Sequence, residues 1–325
     1  MVVLHRIELQ FGSLKFAINH VTRPLAECMM HLRGFAMTSG FYRYMESRFT
    51  PERFMGILHS FFDESGKFQD HQVVAFCGFG ASESQLADFD KQWNNQLRRT
   101  GMEALHWVKA RRNGQPLSSR VGPQTSKERI NELKPFANCV NDYLGLGIAT
   151  AFEVTGYTSF APESKKLLGG SDNPFYVQFL RTVMLLAEFA RPEESINMMC
   201  DEDEETAWNC YRLYRRVKEF DPKTGRRLAA ISFADDMHFP ALQAADMLSF
   251  LCREQAKLQW YGESYEYRDF FRYLSDPRGT SQIQWRVAFK NKADLQKLEK
   301  SLVRKKTERE HGASTIAKTR RGRVK

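Results

Sequence analysis

The sequence predicts an α/β fold, a mixed sheet with helices on both faces that opens with a β-hairpin. Three observations carry that expectation. From residue 55 onward, short apolar runs alternate with stretches of helical periodicity. The first two apolar runs are joined by a short loop containing glycine, which favours an antiparallel pair. The second of them, Gln72 to Phe79, is apolar on both faces, as a strand covered from both sides requires.

In chain order, residues 1–54 show no regular strand-turn-helix pattern and read as a loosely packed N-terminal extension, with Met55 at the start of the regular part. Gly56 to Phe62 predicts a strand, and Asp63-Glu64-Ser65-Gly66 the turn that closes it. Ser84 is placed to cap a helix whose Leu86, Phe89, Trp93 and Leu97 recur at three- and four-residue steps. Thr125 to Glu128 fits a capping box, opening a helix that Pro135 should bend or interrupt. Leu144 to Val154 predicts a strand. A long helix starts at Asn173-Pro174, with Phe175, Phe179, Val183, Leu186 and Ala190 on its apolar face.

Ile196 to Cys200 predicts a short strand that delivers Asp201, followed by a helix from Thr206 to Phe220. Leu228 to Phe233 is a further strand, and Pro240 opens a helix to about Glu254. Gln282 to Phe289 reads as an edge strand, and Ala293 onward as a helix running into the tail. The expected division is an extension (1–54), a catalytic domain (55–255), a strand and helix added to its core (256–299) and a basic, disordered tail (300–325).

Charge and cysteines bound the function. The 325 residues carry a net charge of +9, and residues 300–325 hold ten Lys/Arg against Glu308 and Glu310, so the rest is nearly neutral. Such a tail can hold phosphate backbone by counterion release, or serve as a solvated end. The six cysteines show no C-x-x-C pair and no zinc-finger spacing, which argues against a structural zinc or a disulfide framework. No run approaches the roughly 18 apolar residues of a membrane span, and the N-terminus lacks a secretory pattern, so the expected location is the cytoplasm, with no membrane partner.

Chemistry is expected from three acids. Asp63 follows Phe61-Phe62, Asp201 follows Met198-Met199-Cys200, and Asp246 stands between Ala244-Ala245 and Met247-Leu248. A carboxylate in apolar company needs compensation, and a divalent cation supplies it for a cluster. Gln243 lies three residues before Asp246 and shares its helix face, either to reach the same site or to bridge backbone groups. Taken alone, Asp63 to Gly66 is a good hairpin turn, and Asp201 to Glu205 a good solvated helix start. His106-Trp107 fits either a site or packing.

These segments together resemble domain-of-unknown-function family 3800, regarded as RNase H-like. The residues that carry the resemblance are Asp63-Glu64-Ser65-Gly66 after an apolar strand, Glu103 to Trp107, the strand ending in Asp201, and Leu242-Gln243-Ala244-Ala245-Asp246; it covers about residues 56–255. The resemblance implies an RNase H-like mixed sheet that gathers carboxylates around Mg²⁺ or Mn²⁺ for phosphodiester hydrolysis of RNA or DNA. It makes Asp63, Asp201 and Asp246 metal ligands, Glu64 and Asp203 secondary ligands, and His106 a proton donor or phosphate contact. Ser65, Gln243 and Lys109 become substrate contacts. Where the family has a small polar or basic residue after an acid, this chain has Asp235-Asp236-Met237-His238. The alternative is a catalytically silent RNase H-like nucleic-acid-binding or scaffold module. An acid-dyad hydrolase would need a second Asp-x-Ser-Gly turn, which the chain lacks.

Overall fold

The computed structural model describes residues 56–107, 125–167, 172–191, 193–202, 204–275, 283–301 and 303–304. The expected extension (1–54), Asp203, Lys109 and residues 305–325 of the expected tail lie outside the described residues, whereas 300, 301, 303 and 304, expected in that tail, are helical. Among the described residues, one sheet contains β1 (Gly56–Ser65), β2 (Val73–Ala81), β3 (Leu146–Glu153), β4 (Glu194–Asp201), β5 (Leu228–Ala234) and β6 (Gln284–Lys290). Their order is β5-β4-β1-β2-β3-β6. The consecutive pairs β1–β2 and β2–β3 are antiparallel, whereas β1–β4, β4–β5 and β3–β6 are parallel. The sheet is therefore mixed, led by the expected hairpin, with β6 as an edge strand.

The helices among the described residues include α1 (Glu83–Thr100), α2 (Ser126–Tyr143), α3 (Val154–Thr158), α4 (Pro162–Leu167), α5 (Phe175–Phe189), α6 (Glu204–Phe220), α7 (Pro222–Gly225), α8 (Pro240–Tyr261) and α9 (Arg268–Ser275), and residues 292–301 are helical after β6, as expected. Strand alternation sorts the side chains into two cores. Phe61, Cys77, Phe79 and Met199 face α8, which α1, α2 and α9 flank. Leu58, Phe62, Phe76, Met198 and Cys200 face α5 and α6.

Four local expectations are corrected. β1 continues through Asp63 and Glu64 to Ser65, pairing Asp63 with Cys77 and Ser65 with Ala75, so the acids stand in the strand and not in the turn. The turn follows at Gly66, whose φ of 89° lies in the left-handed region that glycine tolerates. The N-cap of α1 is Ser82, not Ser84; it closes a capping box with Gln85, because Ser82-x-x-Gln85 has the required spacing. Of the expected bend or interruption at Pro135, the interruption does not occur: helix α2 runs on to Tyr143, since burying Leu133, Phe136, Ala137 and Val140 outweighs a lost backbone bond. Helix α8 passes the expected end at Glu254 and stops at Tyr261, where Gly262 adopts φ 73°.

Helix α8 is fixed to the sheet by a polar contact as well as by packing. The Ser249 hydroxyl donates to the Asp63 carbonyl at 2.7 Å and accepts from the Cys77 N–H at 3.1 Å. Ser249 is three residues beyond Asp246, on the same face of the helix. The helix is thus locked in place beside the strand residue that carries the first acid.

Candidate functional site

The parallel strands β1 and β4 set the site. Their register runs to Phe62 opposite Cys200, so Asp63 and Asp201 come next, on neighbouring strands about 4.8 Å apart. Both share the parity of Phe61 and Met199 and face α8, which supplies Asp246 from the same side. Glu64 and Glu202 follow at the rim with the opposite parity. All five acids line one cleft of about 430 Å³ at the carboxyl ends of the strands, the usual place for ligands in open α/β sheets.

The structure adds a residue whose role the sequence left open. Asp235 caps a 3₁₀ turn, Asp236–His238, by accepting from the Met237 N–H. That turn directs Asp236 into the same cleft. His106 joins it there: its Nδ1 lies 3.4 Å from Asp236 Oδ2 and 3.3 Å from Asp246 Oδ2. One ligand atom from each of His106, Asp236 and Asp246 falls within 4.8 Å of the other two. The sequence signal for Asp236 was its place two residues after a strand that runs parallel to β4, but a one-turn 3₁₀ element leaves no periodicity to aim it.

The electrostatics are those of crowded, partly desolvated carboxylates. Burial, then Asp246 and Asp201, pushes Asp63 well above the ordinary carboxylate range, although the Glu64 N–H donates to its Oδ1 at 2.6 Å. Asp201 is pushed up to about 7 by burial, followed by Asp236 and Asp246. Asp236 is raised by burial and Asp246, with His106 opposing. Burial and the adjacent acids also raise the Cys200 thiol. Among the described residues lining the cleft there is no Lys or Arg.

Of the two roles expected for Gln243, the structure shows the bridging one. Its side-chain oxygen accepts from Trp93 Nε1 at 2.8 Å and from the Leu105 N–H at 3.0 Å, and its amide nitrogen donates to the Asp236 carbonyl at 3.1 Å. Gln243 is buried and ties α1, the His106 segment and the 3₁₀ turn together. It bridges backbone groups and does not line the cleft. In the segment Glu103 to Trp107, the Trp107 N–H donates to Asp246 Oδ2 at 2.8 Å, and its ring packs against Phe250, Tyr267 and Phe270. His106-Trp107 therefore combines a site residue with a packing residue. Ser65 is not among the residues lining the cleft.

No protein-family model matches this chain, and no curated protein matches it significantly. Among the described residues, no helix is long and apolar enough to cross a membrane.

Proposed function

We propose that the chain is a metal-dependent phosphodiester hydrolase, a nuclease of RNase H-like architecture related to domain-of-unknown-function family 3800. One observation carries the reading: Asp63, Asp201, Asp236 and Asp246, from two strands, a turn and a helix, line one cleft whose described lining holds no Lys or Arg, and there Asp236, Asp246 and His106 bring ligand atoms within 4.8 Å of one another. Carboxylates so placed repel one another and lose hydration, and a divalent cation relieves both penalties. The carboxylate oxygens of this set fit Mg²⁺ or Mn²⁺, which take hard oxygen ligands. A hairpin-led mixed sheet with acids at the ends of the first strand, a middle strand and on a late helix supports the family reading.

Asp63, Asp201 and Asp246 would hold the metal, joined by Asp236, with Glu64 and Glu202 at the rim. When bound, such ions activate water and stabilise a leaving oxygen in an in-line displacement. The chain's own groups prepare that chemistry. The Trp107 N–H and the Ser249 bridge fix where Asp246 and Asp63 stand. His106, with 39% of its side chain exposed beside two acids, is placed to pass a proton at the mouth of the cleft. Asp236 and Asp246 orient that imidazole.

The test is a cleavage screen over single- and double-stranded RNA and DNA with Mg²⁺ or Mn²⁺. Wild type should cleave at least one of them, and Asp63→Asn should lose at least about a hundredfold of the rate. The same variant should melt a few degrees higher than wild type without metal, because it removes a desolvated carboxylate from two like charges, and added Mg²⁺ should stabilise wild type alone. A full rate in Asp63→Asn would remove Asp63 from the mechanism. Metal-dependent binding without turnover on every substrate would instead favour the silent module.

A further inference from the structure

Helix α6 borders the cleft with one face, through Thr206 and Cys210, and turns the other to solvent. Its inner face is buried through Ala207, Leu213, Tyr214 and Val217. On the outer face, Trp208 is 37% exposed and its ring stacks on Tyr211, with centroids 5.8 Å apart and planes 26° apart. Helical spacing puts Arg212, Arg215 and Arg216 on or beside the same stripe. Arg215 is held by Glu219. Arg216 is partly desolvated and, less strongly, repelled by Arg212 four residues away, and neither has an ion-pair partner among the described residues. Residues 212–227 contain seven Lys/Arg against Glu219 and Asp221, and Asp221 is turned inward to cap α7.

A part-exposed Trp208 ring, stacked on a partly buried Tyr211 beside two guanidinium groups without ion-pair partners among the described residues, is an arrangement that a polyanion with exposed π-faces completes. Bases stack on aromatic rings whatever their sequence, while cations track the phosphates. A duplex keeps its bases stacked on one another and offers the rings nothing. We propose that the outer stripe of α6 docks single-stranded nucleic acid, with bases on Trp208 and Tyr211 and phosphates on Arg212 and Arg216. The helix begins three residues after Asp201, so a strand held there is delivered to the acidic cleft. That delivery rests on the hydrolase reading; the docking itself does not.

The test measures binding of a labelled thymidylate strand of about 20 nucleotides to the full chain in EDTA, beside a duplex of the same sequence. Trp208→Ala should weaken strand binding roughly 5- to 150-fold, as expected for losing a stacked base, and leave duplex binding unchanged. The double variant Arg212→Gln, Arg216→Gln should lower the slope of log affinity against log salt by about 1.4 for the strand. Strand affinity within about twofold of wild type in Trp208→Ala, or an equal loss for duplex and strand, overturns the docking surface. Metal-dependent turnover of the small diester bis(p-nitrophenyl) phosphate, which needs no docking, reports the hydrolase reading separately. Its absence would sink that reading and the delivery step, while the strand measurement still decides the docking.

Discussion

Helices α8 and α6 border the same cleft from opposite faces of the sheet, and they treat polar side chains in opposite ways. On α8 each polar residue near the site is matched: Gln243 holds three partners, Asp246 accepts from the Trp107 N–H, and Ser249 bridges two strands. On α6 the outward residues include a ring pair of which Trp208 is exposed and two arginines without ion-pair partners among the described residues. The closed helix spends its polar groups on holding geometry. The open one leaves them available to a partner. Polarity alone therefore does not mark function; what matters is whether the hydrogen-bonding and charge capacity of a group is already used.

The largest expected effect tests the closed side. Gln243→Leu would strand the Trp93 indole N–H and the Leu105 N–H in a buried setting, at about 1–3 kcal/mol for each group, and leave the part-buried Asp236 carbonyl without its partner. Urea unfolding should show a loss of about 3 kcal/mol or more, together with a fall in metal-dependent rate on the order of tenfold, as the supports of Asp236 and His106 loosen. A stability loss below about 1 kcal/mol would mean that the matching on α8 is looser than its distances indicate.

An effect of similar size comes from His59 on β1, which burial holds at a pKa of about 4, partly offset by Glu83. Its folded value lies below its unfolded one, so the unfolded chain binds more protons between the two. His59 thus supports the fold fully above about pH 6.5 and loses that support as pH falls toward 4, by roughly 3 kcal/mol. Comparing wild type with His59→Gln cancels the opposite trend of the raised carboxylates. The difference in stability should be flat above pH 7 and move against wild type below 6.5; no change across that range would refute the assignment.

The smallest effect tests the open side. Arg212→Gln with Arg216→Gln should change stability by no more than about 0.5 kcal/mol, and in the stabilising direction, because it relieves a like-charge pair at i,i+4. A loss above about 1 kcal/mol would show that these arginines support the fold and would erase the contrast with α8.

The strands and the longer helices α1, α2, α5, α6 and α8 were legible in the sequence, because burial on both faces of a sheet writes itself as apolar runs and burial on one helix face as a three-to-four repeat, whereas the short α3, α4, α7 and α9 were not read. What failed to read had physical causes. Asp63 to Ser65 have low intrinsic strand preference, and pairing with β2 overrides it. Helix α8 is buried on nearly all sides as far as Arg253, so its end is marked not by a change of pattern but by Gly262. Asp63, Asp201 and Asp246 were legible because acids in apolar company are rare enough to be informative. Asp236 required the 3₁₀ turn to aim it, and the saturation of Gln243 required knowing what stood opposite.

The adjacency of Asp63 and Asp201 has a genetic corollary. Each acid reaches the cleft by counting residues along a ladder whose side chains change face at every step. Deleting one residue between Gly56 and Phe62, with pairing to β4 retained, would put Glu64 opposite Asp201 and bring a longer carboxylate to the site. Deleting two from that stretch would present Ser65 there. A frame-preserving indel in β1 is therefore expected to damage this centre more than many substitutions in the same strand, and a scan of single-codon deletions would trace the site as a sharp boundary in activity.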